Sequence, residues 1–133
     1  MPSDALDRLL SDPYVPTAVY FPDSDCVEYV REDTICVYDR VDEFLTLVFD
    51  ETRINLIGFK FKGFRNIFET HLRSAYHLNN DHFIEMIEVL TAVCTALGNE
   101  LTSDKRRKDA YRAVKKLATK DNIKIYDLSA LAA

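Results

Sequence analysis

Apolar and polar positions alternate most cleanly between Phe44 and Phe64. Leu45, Leu47 and Phe49 fall on one side of a first run. Ile57, Phe59 and Phe61 share a side of a second, opposite Leu56, Gly58, Lys60 and Lys62. A period of two is that of a strand with one dry face and one wet face, and the polar break Asp50-Glu51-Thr52-Arg53 between the runs predicts a hairpin. Upstream, Ala18-Val19-Tyr20-Phe21 and Cys26 to Val30 flank Pro22-Asp23-Ser24-Asp25, whose residue types favour a turn. Thr34 to Tyr38 adds a strand rich in β-branched and aromatic residues. Gly58 marks a bulge or a close approach of another backbone.

Downstream of Gly63 the period lengthens. Arg65 to Leu78 predicts a helix with Ile67, Phe68, Leu72, Ala75 and Tyr76 as its apolar stripe. After the break Asn79-Asn80-Asp81, a helix over Asp81–Leu97 carries Phe83, Ile87, Leu90, Cys94 and Leu97, and Ile84, Met86, Val89 and Val93 widen its apolar arc enough to make it the most buried of the helices. It is expected to pack on the face bearing Ile57, Phe59 and Phe61, and Gly98 suits the position after its end. A further helix, capped by Thr102 or Ser103 and running to about Thr119, has a narrow stripe of Tyr111, Val114, Leu117 and Ala118. Ser3 to Leu10 predicts a short leading helix, and Ile123 to Tyr126 a short edge strand. The fold class is α+β: an antiparallel meander of about five strands packed against three C-terminal helices, as a single domain over 1–133.

The order Asp23-Ser24-Asp25-Cys26-Val27, then Leu45 to Asp50, then Leu56-Ile57-Gly58-Phe59 resembles a family of short bacterial β-meander domains of unknown function. Those domains carry a D-x-D-x-hydrophobic hairpin followed by a D-x-D-G-x-hydrophobic-x-G hairpin. The likeness spans about residues 18–61, and Glu51-Thr52-Arg53 stands where that family turns through glycine. It implies an antiparallel sheet and no catalytic residues.

Composition changes this picture little, with 47% hydrophobic and 29% charged residues in 133, the balance of a chain that folds. Charge adds more. Residues 1–53 carry 13 acidic and 4 basic residues, a net −9, whereas residues 103–133 carry 9 basic and 4 acidic, a net +5. Cys26, Cys36 and Cys94 are odd in number and widely spaced, which predicts reduced thiols. An acidic N-terminus and the lack of a long apolar run predict a cytoplasmic protein without a membrane span.

Few groupings point to chemistry. His82, Glu85 and Glu88 have helical spacing, with His71 and His77 nearby, but a carboxylate-bridged metal site needs such a motif twice. Asp23, Asp25, Asp39, Asp42, Glu43, Asp50 and Glu51 sit at predicted strand ends, where turn hydrogen bonding accounts for them. No phosphate-binding glycine loop, nucleophile elbow or calcium loop occurs, and no cofactor is expected. The sharpest feature is the basic run Lys105, Arg106, Arg107 and Lys108, continued by Arg112, Lys115, Lys116 and Lys120. It could face the acidic half of the chain, within one molecule or across a dimer, or contact nucleic acid.

The leading expectation is a non-enzymatic protein-interaction or regulatory module of a bacterial or phage protein, self-associating as a homodimer. Behind it stand nucleic-acid binding through the helix 105–120, then mimicry of nucleic acid by the acidic half, then an enzyme with an unrecognised carboxylate site. The sharpest discriminator for the last is a concave pocket with convergent polar groups.

Overall fold

The computed structural model describes residues 14–73 and 83–126. Five strands, β1 (Val19–Phe21), β2 (Cys26–Val30), β3 (Val37–Arg40), β4 (Leu45–Phe49) and β5 (Leu56–Lys62), form one antiparallel sheet in the order β1-β2-β5-β4-β3. The α+β class stands, but the strands do not follow one another as a simple meander. The chain leaves β2 and crosses through residues 31–36 to the far edge, and β5 returns to fill the gap between β4 and β2. The seven-residue β5 puts Phe59 and Phe61 into the core, but the register shift at Val48/Phe49 brings Leu56 against it in place of Ile57, which is buried outside that cluster and does not continue the expected row. A central slot pairs both of its edges and buries the two phenylalanines. β3 starts later than its residue types suggested, at Val37 rather than Thr34.

Gly58 combines both readings of its position. It lies opposite Val48, where the β4–β5 register shifts, and a Cβ built on it would meet the Tyr29 carbonyl oxygen at 2.1 Å. The β2 backbone therefore passes too close for any side chain at this point.

Phe64–Ile67 forms a short helix α1, which widens into a π turn over Phe68–Leu72. The expected helix to Leu78 is replaced by these two pieces as far as Arg73, and residues 74–78 lie outside the described residues, as does the predicted helix over 3–10. Ile84–Glu85 forms β6, then helix α2 covers Met86–Leu97, a short α3 Asn99–Thr102, and α4 Lys105–Lys120. Helix α2 thus starts later than Asp81, because Ile84 and Glu85 pair with Ile125 and Lys124 of β7 (Lys124–Ile125) in a two-stranded ribbon. Its buried side is Met86, Val89, Leu90 and Val93, all within the expected arc, while Phe83 is exposed and Cys94 half-buried, so the buried centre is displaced from the expected stripe. The expected terminal edge strand is this β7, and an isolated parallel bridge joins Ile125 to Ala18 next to β1.

The core gathers Tyr20, Val27, Tyr29, Leu45, Leu47, Phe59 and Phe61 from one face of the sheet, with Phe64, Phe68, Leu90, Tyr111 and Val114 from the helices. Helix α4, not α2, lies directly against β5, while α2 packs on α4 and on the π turn. The basic helix wins this place through Ala110, Tyr111, Val114, Leu117 and Ala118, a stripe of small and shaped side chains buried throughout its length. Its cap is Asp104, whose carboxylate accepts from the Arg107 N–H, rather than Thr102 or Ser103. At the other end Ile123 N–H reaches Ala118 O and Asn122 N–H reaches Thr119 O, with Asn122 at φ 50°. This pairing closes the helix with an asparagine in the left-handed position.

Candidate functional site

Helix α4 divides its cations between two sides. Arg106 turns toward the edge of the sheet, where its guanidinium donates to Asp39 Oδ1 at 2.7 Å, to Arg40 O at 3.1 Å and to Val41 O at 3.4 Å. Arg107 reaches under it to Asp42. Its Nε donates to Asp42 Oδ2 at 3.1 Å, and Nη2 lies 3.1 Å from that oxygen in ion-pair range, although poorly aligned for a hydrogen bond. Tyr111 donates its hydroxyl to the same oxygen at 2.9 Å, while Asp42 Oδ1 accepts the Phe44 and Leu45 N–H groups. The Asp42 side chain is 4% exposed, so one carboxylate folds the β3–β4 turn and ties it to α4. Burial first, then Asp42, pushes the Tyr111 phenol far above its usual range.

The far end of α4 is tied down in the same way. Asp121 accepts a two-point pairing from Arg31, at 2.9 Å from Nε and 2.8 Å from Nη2, and a hydrogen bond from the Tyr29 hydroxyl at 2.7 Å. Hydrogen bonding from Arg31 is the main reason that the Asp121 carboxyl is held below the usual carboxylate range. This cluster forms one wall of a cleft of about 640 Å³, also lined by Thr17, Lys124 and Tyr126.

The opposite side of α4 faces outward. Lys108, Arg112, Lys116 and Lys120 are exposed, while Lys115 is half-buried and hydrogen-bonded to the Cys94 thiol of α2, and none of the five joins an ion pair with a carboxylate among the described residues. Lys105 pairs instead with Asp109 one turn along, at 2.6 Å. Of the candidate contact set Lys105, Arg106, Arg107, Lys108, Arg112, Lys116 and Lys120, three members are thus engaged within the chain. Lys115 was not in that set, although its spacing of three from Arg112 places it on the same side.

The sheet face away from the helices is a second surface. Val19, Phe21, Cys26, Glu28, Val30, Lys60, Val48 and Tyr38 lie on it by the strand registers, and none belongs to the core cluster shared with the helices. Lys60 pairs with Glu28 at 3.2 Å and sits 4.5 Å over the Tyr38 ring. On either flank Val19, Phe21 and Tyr38 are 41%, 43% and 55% exposed.

Of the carboxylates at strand ends, Asp42 and Asp50 accept turn N–H groups, whereas Asp39 pairs with Arg106 of α4. Asp25 Oδ1 accepts from the Tyr20 hydroxyl and the Arg65 N–H, and Asp50 accepts from Thr52 and Asn55. Every resolved shift moves a group away from neutral pH. Tyr20 is pushed up to about 12, chiefly by burial, burial raises the Cys26 and Cys94 thiols, and Asp121 is lowered. Of the histidines, His71 is exposed, while His77 and His82 lie outside the described residues, so the grouping with Glu85 and Glu88 does too. No helix among the described residues is long and apolar enough to cross a membrane. The chain matches no known family model, no curated protein and no solved structure.

Proposed function

We propose that this chain is a non-enzymatic interaction module that self-associates through the outer face of its sheet. The observation that carries the reading is the make-up of that face. An acid and a base, Glu28 and Lys60, sit on neighbouring central strands, and exposed apolar side chains flank them on both edges. A two-fold axis parallel to the strands and midway between β2 and β5 would set Glu28 of one copy against Lys60 of the other, so the charged centre of the surface is complementary to itself. Stacked sheets lie about 10 Å apart, a gap that side chains of this size fill.

The extent of the face limits the affinity. Five strands about 4.8 Å apart and about five residues long present roughly 400 Å², about half of what each partner in a standard interface contributes. The dimer is therefore expected to be transient, with dissociation in the micromolar range or weaker. Sedimentation equilibrium from about 5 to 200 μM should show a concentration-dependent dimer. A Phe21→Glu/Tyr38→Glu variant with unchanged circular dichroism should remain monomeric. A strict monomer across that range, or a dimer indifferent to the two substitutions, would remove the reading.

A further inference from the structure

We propose that the outward side of α4 binds the phosphate backbone of double-stranded nucleic acid, independently of base sequence. The basis is the division of cations along the helix. Arg106 and Arg107 are consumed by Asp39 and Asp42, whereas Lys108, Arg112, Lys115, Lys116 and Lys120 have no ion-pair partner among the described residues. Charges that served only to hold the helix on an acidic sheet edge would lie on the sheet side, and these five do not.

Their spacing suits a polyanion. From Lys108 to Lys120 the helix rises about 18 Å, at 1.5 Å per residue, equivalent to about five base pairs at 3.4 Å each. Around Arg112, Lys115, Lys116, Thr119 and Lys120 the side chains frame a shallow hollow of about 380 Å³. Among the described residues this side of α4 carries no aromatic or large aliphatic side chain, and thus none of the anchors on which protein interfaces depend or the stacking platforms of single-strand binders. Phosphate recognition needs neither. Binding by charge alone favours the form with the denser charge, which is the duplex. The net charge of −5 on the whole chain weakens long-range attraction. At physiological ionic strength, however, screening acts over about 8 Å, so the local row governs contact.

Fluorescence anisotropy of a labelled random-sequence duplex of about 20 base pairs tests the proposal. Binding is expected in the micromolar range at about 50 mM salt, with a slope of log K against log salt of about −3.6 for four neutralised phosphates, hence a loss of about 10²-fold by about 200 mM. The exposed triple substitution Arg112→Glu/Lys116→Glu/Lys120→Glu should abolish binding with the thermal midpoint and circular dichroism retained, and Arg106→Ala should leave it unchanged. Single-stranded DNA of the same length should bind more weakly. No binding at tens of micromolar protein would overturn the proposal. So would full binding by the folded triple variant, or a preference for the single strand. Displacement of the duplex by polyglutamate at equal charge concentration would assign the surface to acidic polypeptides instead.

Discussion

Asp42 is the residue whose loss should be felt most for its size. Its two oxygens take two turn N–H groups, the Tyr111 hydroxyl and the Arg107 guanidinium, and the Arg107 side chain is only 15% exposed. Asp42→Asn keeps the oxygen that the turn uses and removes the charge. Arg107 then stays buried beside an amide, and breaking a buried pair from one side costs about 3–5 kcal/mol. Partial access to solvent at Arg107 argues for the low end, about 3 kcal/mol. Asp42→Ala also strips the two turn hydrogen bonds, at about 1 kcal/mol each, for a total of about 5 kcal/mol. Set against the 5–15 kcal/mol typical of a whole domain, either change should be plain in urea unfolding. Circular dichroism and tyrosine fluorescence suit the assay, since the chain has 7 Tyr and no Trp. The decisive control is the background. In Arg107→Met no buried cation is left behind, so Asp42→Asn should cost only about 1 kcal/mol there, a coupling of about 2 kcal/mol. Equal costs in the two backgrounds would show that the pair is solvated and that Asp42 acts as a turn residue alone.

Asp121 should make stability depend on acid. Its carboxyl is held low by the hydrogen bonds from Arg31 and then Tyr29, so its contribution is complete above the ordinary carboxylate value of about 4 and disappears as the pH falls through the lowered folded value. The urea midpoint should fall more between about pH 4 and pH 2 in the parent than in Asp121→Asn, and parallel profiles would count against this. Gly58→Ala should be among the most damaging changes of a single methyl. A Cβ 2.1 Å from the Tyr29 carbonyl must push β2 and β5 apart. A thermal midpoint within about 2 °C of the parent, less than a 1 kcal/mol loss produces in a domain of this size, would mean that the strands are not this close.

Most of the sheet could be read from alternation because each strand shows its period over its own few residues. Alternation marks β2 over Cys26–Val30, as the structure has it, and both runs between Phe44 and Phe64 are strands, β4 and β5. Strand order could not be read in this way. Alternation tells which face of a strand is dry, but Val27 meets Phe61 only because β5 prefers a slot with two partners, and that is a property of the assembled sheet. The start of α2 was misplaced for a similar reason. Phe83 and Ile84 continue a helical stripe in the sequence, and a partner strand 40 residues away takes Ile84 into a ribbon instead.

The division of the basic helix, by contrast, was written in its spacing. The buried stripe of α4 runs through Ala110, Tyr111, Val114, Leu117 and Ala118. Extended back by one turn, it reaches Arg107, three residues before Ala110 and four before Tyr111, and Arg106, four before Ala110. Both arginines therefore start on the sheet side, and a cation placed there must find an acid or remain uncompensated. The acids are Asp39 and Asp42, at the end of β3 and in the turn after it. Lys108, Arg112 and Lys115 follow one another at spacings of four and three around the other side, with Lys116 and Lys120 beside them. The side on which each residue falls separates the arginines that pair with Asp39 and Asp42 from the cations that no carboxylate among the described residues pairs.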